Sequence, residues 1–196
     1  MIRTHRSSQF GGAAIEFLFC LPLLLLLALP VADLARVLQA NIILTNISRE
    51  GASLAARTGG SEQTIMESLA ATAPPLNMPT YGAIHITKIL AHRANGVTRN
   101  VVIAQHRWVN GAYTPTNGVW TCGAGGSYWQ SGNCAGLPPP ANAPEINVMR
   151  GRLQDGDVVY LVETFYQFPL LFNGLDLGAG IVLPGFSSNL YAFTIL

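Results

Sequence analysis

Charge is what this chain has least of. Its 196 residues include 11 Lys or Arg and 10 Asp or Glu, so 11% are charged, against about 25% in an ordinary soluble domain. Lys88 is the only lysine, and the net charge is +1. No block of basic residues stands out, so the footprint that nucleic-acid binding requires is missing. Catalytic signatures are missing as well. There is no Gly-x-Ser-x-Gly, and "CGAGGS" (Cys122–Ser127) is followed by no lysine, as a phosphate loop would need. His85 and His92 are separated by an odd number of residues, which on an extended segment turns them to opposite faces. The reading is a non-enzymatic chain with no metal and no cofactor.

Cysteine is also scarce, with three residues in two contexts. Cys20 lies in an apolar run. Cys122 and Cys134 bracket a glycine-rich loop, "CGAGGSYWQSGNC". Outside the cytosol such a pair suggests a disulfide, which would stabilise a loop of this size by roughly 3 kcal/mol. Two free thiols or a metal pair are the alternatives, and no second Cys/His pair at ligand spacing supports the metal.

The missing charge is concentrated. From Phe17 to Ala32 there is none. A span needs about 20 apolar residues to cross about 30 Å of hydrocarbon, and Gly12 to Ala32 supplies that length if Glu16 is tolerated. A secretory signal peptide also has a basic start and an apolar core. Here, however, a cut after Ala32 would place Pro30 at −3, and a cut after Ala35 would place Asp33 there. Arg3 and Arg6 precede the span, which favours a cytoplasmic N-terminus and puts everything after the span on the other side. Leu34, Val37, Leu38, Ile42, Leu44, Ile47, Leu54 and Ala55 continue with helical periodicity, and Gly59–Gly60 supply a stop. One helix from Gly12 to Thr58 would be roughly 70 Å long, with Pro22 and Pro30 loosening it.

"GGAAIEF", "LPLLLLLALPVADLARVL" and "SREGASLAA" (Ser48–Ala56) together resemble the TadE-like minor pilins, or pseudopilins, of the tight-adherence (Tad, Flp-type) pilus. The late "DVVYLVETFYQFPLLFNGL" resembles that family too. The resemblance implies cleavage after a glycine by a prepilin peptidase, with the glutamate at mature position 5. Counting back from Glu16 gives Gly12 as the first mature residue and Gly11–Gly12 as the cut; a cut after Gly12 would put Glu16 at position 4. It further implies an inner-membrane protein that meets other minor pilins and the Tad assembly platform. A carboxylate near a helix N-terminus is favoured by the dipole. The ammonium created at Gly12 would lie one turn from Glu16, able to pair with it or with a neighbour's. The other reading of Glu16 is an interfacial carboxylate that snorkels to water.

The remainder reads as a small α+β domain. Residues 1–11 are the cytoplasmic leader, 12–33 the span, 34–60 the continuing helix and 61–196 the periplasmic domain. "SEQTIMESLAATAPP" is a short helix with Ser61 as N-cap and Pro74–Pro75 as its end. "AIHITKILAHR" and Val101–Val109 are strands joined by a turn at Asn95–Gly96. In Asp157–Phe168, Val158, Tyr160, Val162, Thr164 and Tyr166 share one face, and Val159, Leu161, Glu163, Phe165 and Gln167 the other. Ser188–Leu196 is a last strand. Residues 110–151 read as an irregular loop whose Trp120, Trp129, Tyr113 and Tyr128, with Trp108 beside it, form either a contact surface or a mini-core. The expected sheet is antiparallel, of about four strands, packed on the long helix. The function expected is that of a structural minor pilin in pilus biogenesis, priming or capping the filament in adhesion. The rival is an uncleaved, membrane-anchored periplasmic scaffold or binding protein of the same apparatus.

Overall fold

The computed structural model describes residues 10–57, 59–94, 96–171, 175–176, 182–183 and 189–196. In chain order its elements are α1 (Phe10–Arg57), α2 (Glu62–Ala71), α3 (Met78–Tyr81), β1 (Gly82–Ala94), β2 (Val97–Arg107) and β3 (Cys122–Gly125). Then follow β4 (Tyr128–Gln130), β5 (Asn133–Ala135), β6 (Val158–Gln167), β7 (Leu175–Asp176), β8 (Val182–Leu183) and β9 (Asn189–Ile195). Two units separate: Met1–Leu38 with Pro169–Ser187, and Gln39–Phe168 with Ser188–Leu196.

In the first unit α1 runs on through Pro22 and Pro30 without a break. Both prolines lack an amide donor, yet neither ends the helix. Side chains from Ile15 and Phe17 through Leu25 to Val31 are exposed. A helix that is apolar all round and uncovered needs lipid or other helices as its surroundings. Its length, composition and place near the N-terminus fit a single-pass membrane anchor. Asp33 is fully buried and accepts from Arg36 Nη1 at 3.2 Å. β7 and β8 form a separate antiparallel pair.

The second unit is a six-stranded antiparallel sheet in the order β4-β5-β2-β1-β6-β9. The α+β class is as expected, but the strands number six rather than four. The two extra strands, β4 and β5, come from the segment read as irregular. Each is three residues long and glycines lie around them, too short for a period-2 pattern to show. β1 and β2 pair from His85↔Arg107 to Ala94↔Val97. That register leaves a two-residue turn in which Gly96 takes φ +82°, a geometry suited to a tight hairpin; its Asn95 lies outside the described residues.

The sheet is covered on both faces. On one side lie the distal part of α1 and α2. Ala40, Leu44, Ile47, Ser48, Ala52 and Ala55 are buried along α1, a stripe at helical spacing. A Cβ on Gly51 would meet Leu69 of α2 at 2.8 Å and Val162 of β6 at 3.0 Å, so the helix sits very close to both. The Ser48 and Thr194 hydroxyls are 2.9 Å apart, and Thr164 donates to the Leu44 carbonyl at 3.2 Å. On the other face, Ile89, Val102 and Leu161 form a core with Ile146, against which Val119, Trp120, Leu137 and Val148 pack. The long segment between β2 and β6 is therefore a layer of the domain, and Trp120 belongs to its core.

Candidate functional site

Gly11 and Gly12 fall in the first turn of α1, and Glu16 follows Gly12 by four residues, which is about one helical turn. Glu16 is exposed among exposed Ile15, Phe17 and Leu18. The described residues give its carboxylate neither an ion pair nor a hydrogen bond. A charge at the centre of a membrane span costs about 2.5–3.5 kcal/mol on insertion scales; Glu16 stands at the leading edge of the apolar run, and nothing described in this chain pairs with it.

Cys122 and Cys134 are bonded to each other, with Cα atoms 5.8 Å apart. Behind them stands Gln105, fully buried on β2. Its amide nitrogen donates to Thr87 Oγ1 at 3.0 Å and to the Trp120 carbonyl at 2.8 Å, and its oxygen accepts from the Cys122 N–H at 2.9 Å. One side chain thus satisfies three groups and ties the start of the disulfide loop to the sheet. Cys20 is a free, exposed thiol on α1.

Two buried titratable groups lie opposite each other: His85 on β1 and Glu163 on β6 are Cα partners. Glu163 Oε1 accepts from the Val119 N–H and from the Tyr191 hydroxyl, each at 2.7 Å. Its Oε2 and the Nδ1 of His85 are buried without a hydrogen-bond partner. Burial pushes the Glu163 carboxyl above its ordinary range, against the opposing effect of its two donors. Burial also lowers His85 from 6.5 to about 4, and the nearby Arg107 charge adds to the fall. Glu163 shares its face of β6 with Leu161 and Phe165, and a lone carboxylate between two apolar neighbours is the mark its position leaves in the sequence.

Beside His85 lies a cavity of about 330 Å³ walled by β1, the end of β2, the following loop and the β4–β5 turn. The Arg107 guanidinium stands 5.0 Å over the Trp129 ring, and His85 touches the same ring at 5.7 Å between centroids. Glu67 of α2 accepts from Trp108 Nε1 at 2.7 Å and from Asn110 Nδ2 at 3.0 Å, which fixes another wall; these donors hold its carboxyl below the usual range. Gly132 is indispensable to the rim. At φ +82°, a Cβ there would fall 2.8 Å from the Arg107 carbonyl and 2.6 Å from Val109. The sequence offers no local sign of this cavity, because its walls come from segments between residues 83 and 132. His85 is buried and lines the cavity, whereas His92 is not among its lining residues. Among the described residues no group of three or more His, Cys, Asp or Glu is placed to hold a metal.

Residues 11–53 match the family model for TadE-like proteins. No curated protein and no solved structure matches the chain. The TadE-like segment covers Gly11, Gly12 and Glu16, the apolar part of α1, and the buried stripe as far as Ala52. The TadE-like match therefore joins the membrane-length helix to the surface on which the sheet packs. The disulfide loop and the cavity lie beyond it.

Proposed function

We propose that this chain is a structural, non-enzymatic minor pilin that serves the biogenesis of a Tad/Flp-type pilus. The observation that carries the reading is the TadE-like match over residues 11–53 on a helix of particular build. That helix is continuous from Phe10 to Arg57, uncovered in its apolar part and packed into a domain in its distal part. An uncovered apolar helix can pass from lipid into a bundle of like helices, because both surroundings satisfy it equally. In this reading the leader stays in the cytoplasm and the sheet domain stands in the periplasm. A prepilin peptidase cuts between Gly11 and Gly12. The cut lies in the first turn of α1, where intrahelical hydrogen bonds are fewest. Glu16, without a described partner in its own chain, pairs with the ammonium of a neighbouring subunit and sets its axial position. Other minor pilins and the assembly platform are the partners, and the subunit primes or caps the filament.

N-terminal sequencing of the protein extracted from membranes, with and without the peptidase, tests this. A peptidase-dependent N-terminus at Gly12 is expected. An intact leader in both samples would replace this reading with a permanently anchored scaffold of the same apparatus. A Glu16→Ala chain should be cut normally yet leave cells without pili; normal piliation would remove Glu16 from assembly.

A further inference from the structure

The cavity beside His85 has the composition of a ligand site. Arg107 is cationic, stands over Trp129 and forms no ion pair among the described residues. None of the residues lining the cavity is acidic. Glu67 and Glu163 instead accept from neutral donors, Glu67 from Trp108 and Asn110 and Glu163 Oε1 from Val119 and Tyr191. His85 is only 4% exposed, lines the same cavity and leaves Nδ1 unpartnered. A planar guanidinium held on an aromatic ring presents a fork suited to a carboxylate.

The rest of the wall specifies what should carry that carboxylate. Trp129 and Tyr113 supply ring surfaces, and Thr121 and Ser131 add hydroxyls. A pyranose matches this mixture, since its C–H faces lie on aromatic rings while its rim of hydroxyls bonds to other hydroxyls. The volume, about 330 Å³, is at the small end for ligand sites and suits one or two sugar rings. The walls are set before any ligand arrives, by the disulfide, the Glu67 bonds and the close approach at Gly132.

We propose that this cavity binds a single uronic-acid ring of an acidic polysaccharide, with Arg107 on the carboxylate and Trp129 on the ring. The site is independent of how the N-terminus is processed. The test is titration of the full-length protein in detergent with glucuronate, glucose and N-acetylalanine, followed by tryptophan fluorescence. Glucuronate should give a saturable response, with glucose and N-acetylalanine each at least about tenfold weaker. Arg107→Gln should lose that tenfold preference over glucose at an unchanged unfolding temperature. On the unmutated protein, glucuronate but not glucose should slow phenylglyoxal modification of Arg107, read by peptide mass mapping. The proposal is overturned by no saturable glucuronate response, or by equal binding of glucose. Equal binding of N-acetylalanine, which would mark a peptide carboxyl site, overturns it too, as does unprotected Arg107.

Discussion

The Tyr191 hydroxyl donates to Glu163 Oε1 at 2.7 Å, from edge strand β9 to the neighbouring β6. The Val119 N–H reaches the same oxygen at the same distance, so one carboxylate oxygen joins the last strand, the sheet and the covering loop. The other oxygen is buried and unpartnered.

This arrangement predicts a pH effect with a definite sign. Burial raises the Glu163 carboxyl, so its protonated form favours the fold, and the stability it contributes is lost as pH rises through the folded value. Glu163→Gln keeps an acceptor for both donors and removes the charge. It should raise stability at pH 8 by about 1 kcal/mol, with a gain that shrinks towards pH 4. Glu163→Leu, which strands both donors, should cost about 2–3 kcal/mol at pH 4 and about 1 kcal/mol less at pH 8, where the charged carboxylate itself is a burden. Thermal unfolding of the detergent-solubilised protein across that range reads both.

His85 works in the opposite direction. Its folded value, about 4, lies below the ordinary 6.5, so the unfolded chain binds its proton first as pH falls. Stability should drop between pH 6.5 and 4 by up to about 3 kcal/mol. Measured in a Glu163→Gln background, where the competing carboxylate is gone, the slope should vanish on His85→Gln. A slope that persists would assign the acid sensitivity to other groups.

The disulfide closes a loop with a sequence separation of 12. Replacing both cysteines by serine should cost about 2–3 kcal/mol in the chain-entropy account. Gln105 would still hold Thr87, the Trp120 carbonyl and the Cys122 N–H, so the sheet should survive while the loop loosens. The expected outcome is a lower unfolding temperature with unchanged far-ultraviolet dichroism, matched by reductant acting on the unmutated protein.

Gly51 tests the closeness of helix and sheet. Alanine would gain about 1 kcal/mol in helix propensity but must push aside Leu69 and Val162, so its net effect should be small. Gly51→Val adds bulk with no room and should cost about 2–3 kcal/mol. Chemical denaturation separates these two.

The long helix, the β1–β2 hairpin, β6 and α2 could all be read in the sequence, because each carries a period or a turn signal. The stripe on α1 was only partly legible. Leu34, Leu38 and Ile42 fit the period yet are exposed, whereas Ala40, Ser48 and Ala52 are buried. Close packing selects small residues, which a search for large apolar ones passes over. β4 and β5 were too short to leave a pattern. The aromatics divided: Trp120 joins the core under the loop, while Trp129 lines the cavity. That division depends on contacts between distant segments, which no local window contains.

The order of strands also governs when the domain can come together. The sheet places β6 between β1 and β9, and against β6 the helix packs its small-residue stripe. Yet β6 begins at Val158, more than 100 residues after Gly51. During synthesis the helix, α2 and the first hairpin exist for most of the chain's length with that surface uncovered, and loop closure must span the whole interval. Completion of the domain thus waits for β6 and β9: a product that stops before Val158 keeps α1 but leaves its small-residue stripe uncovered, and so differs in surface from a chain that carries both strands.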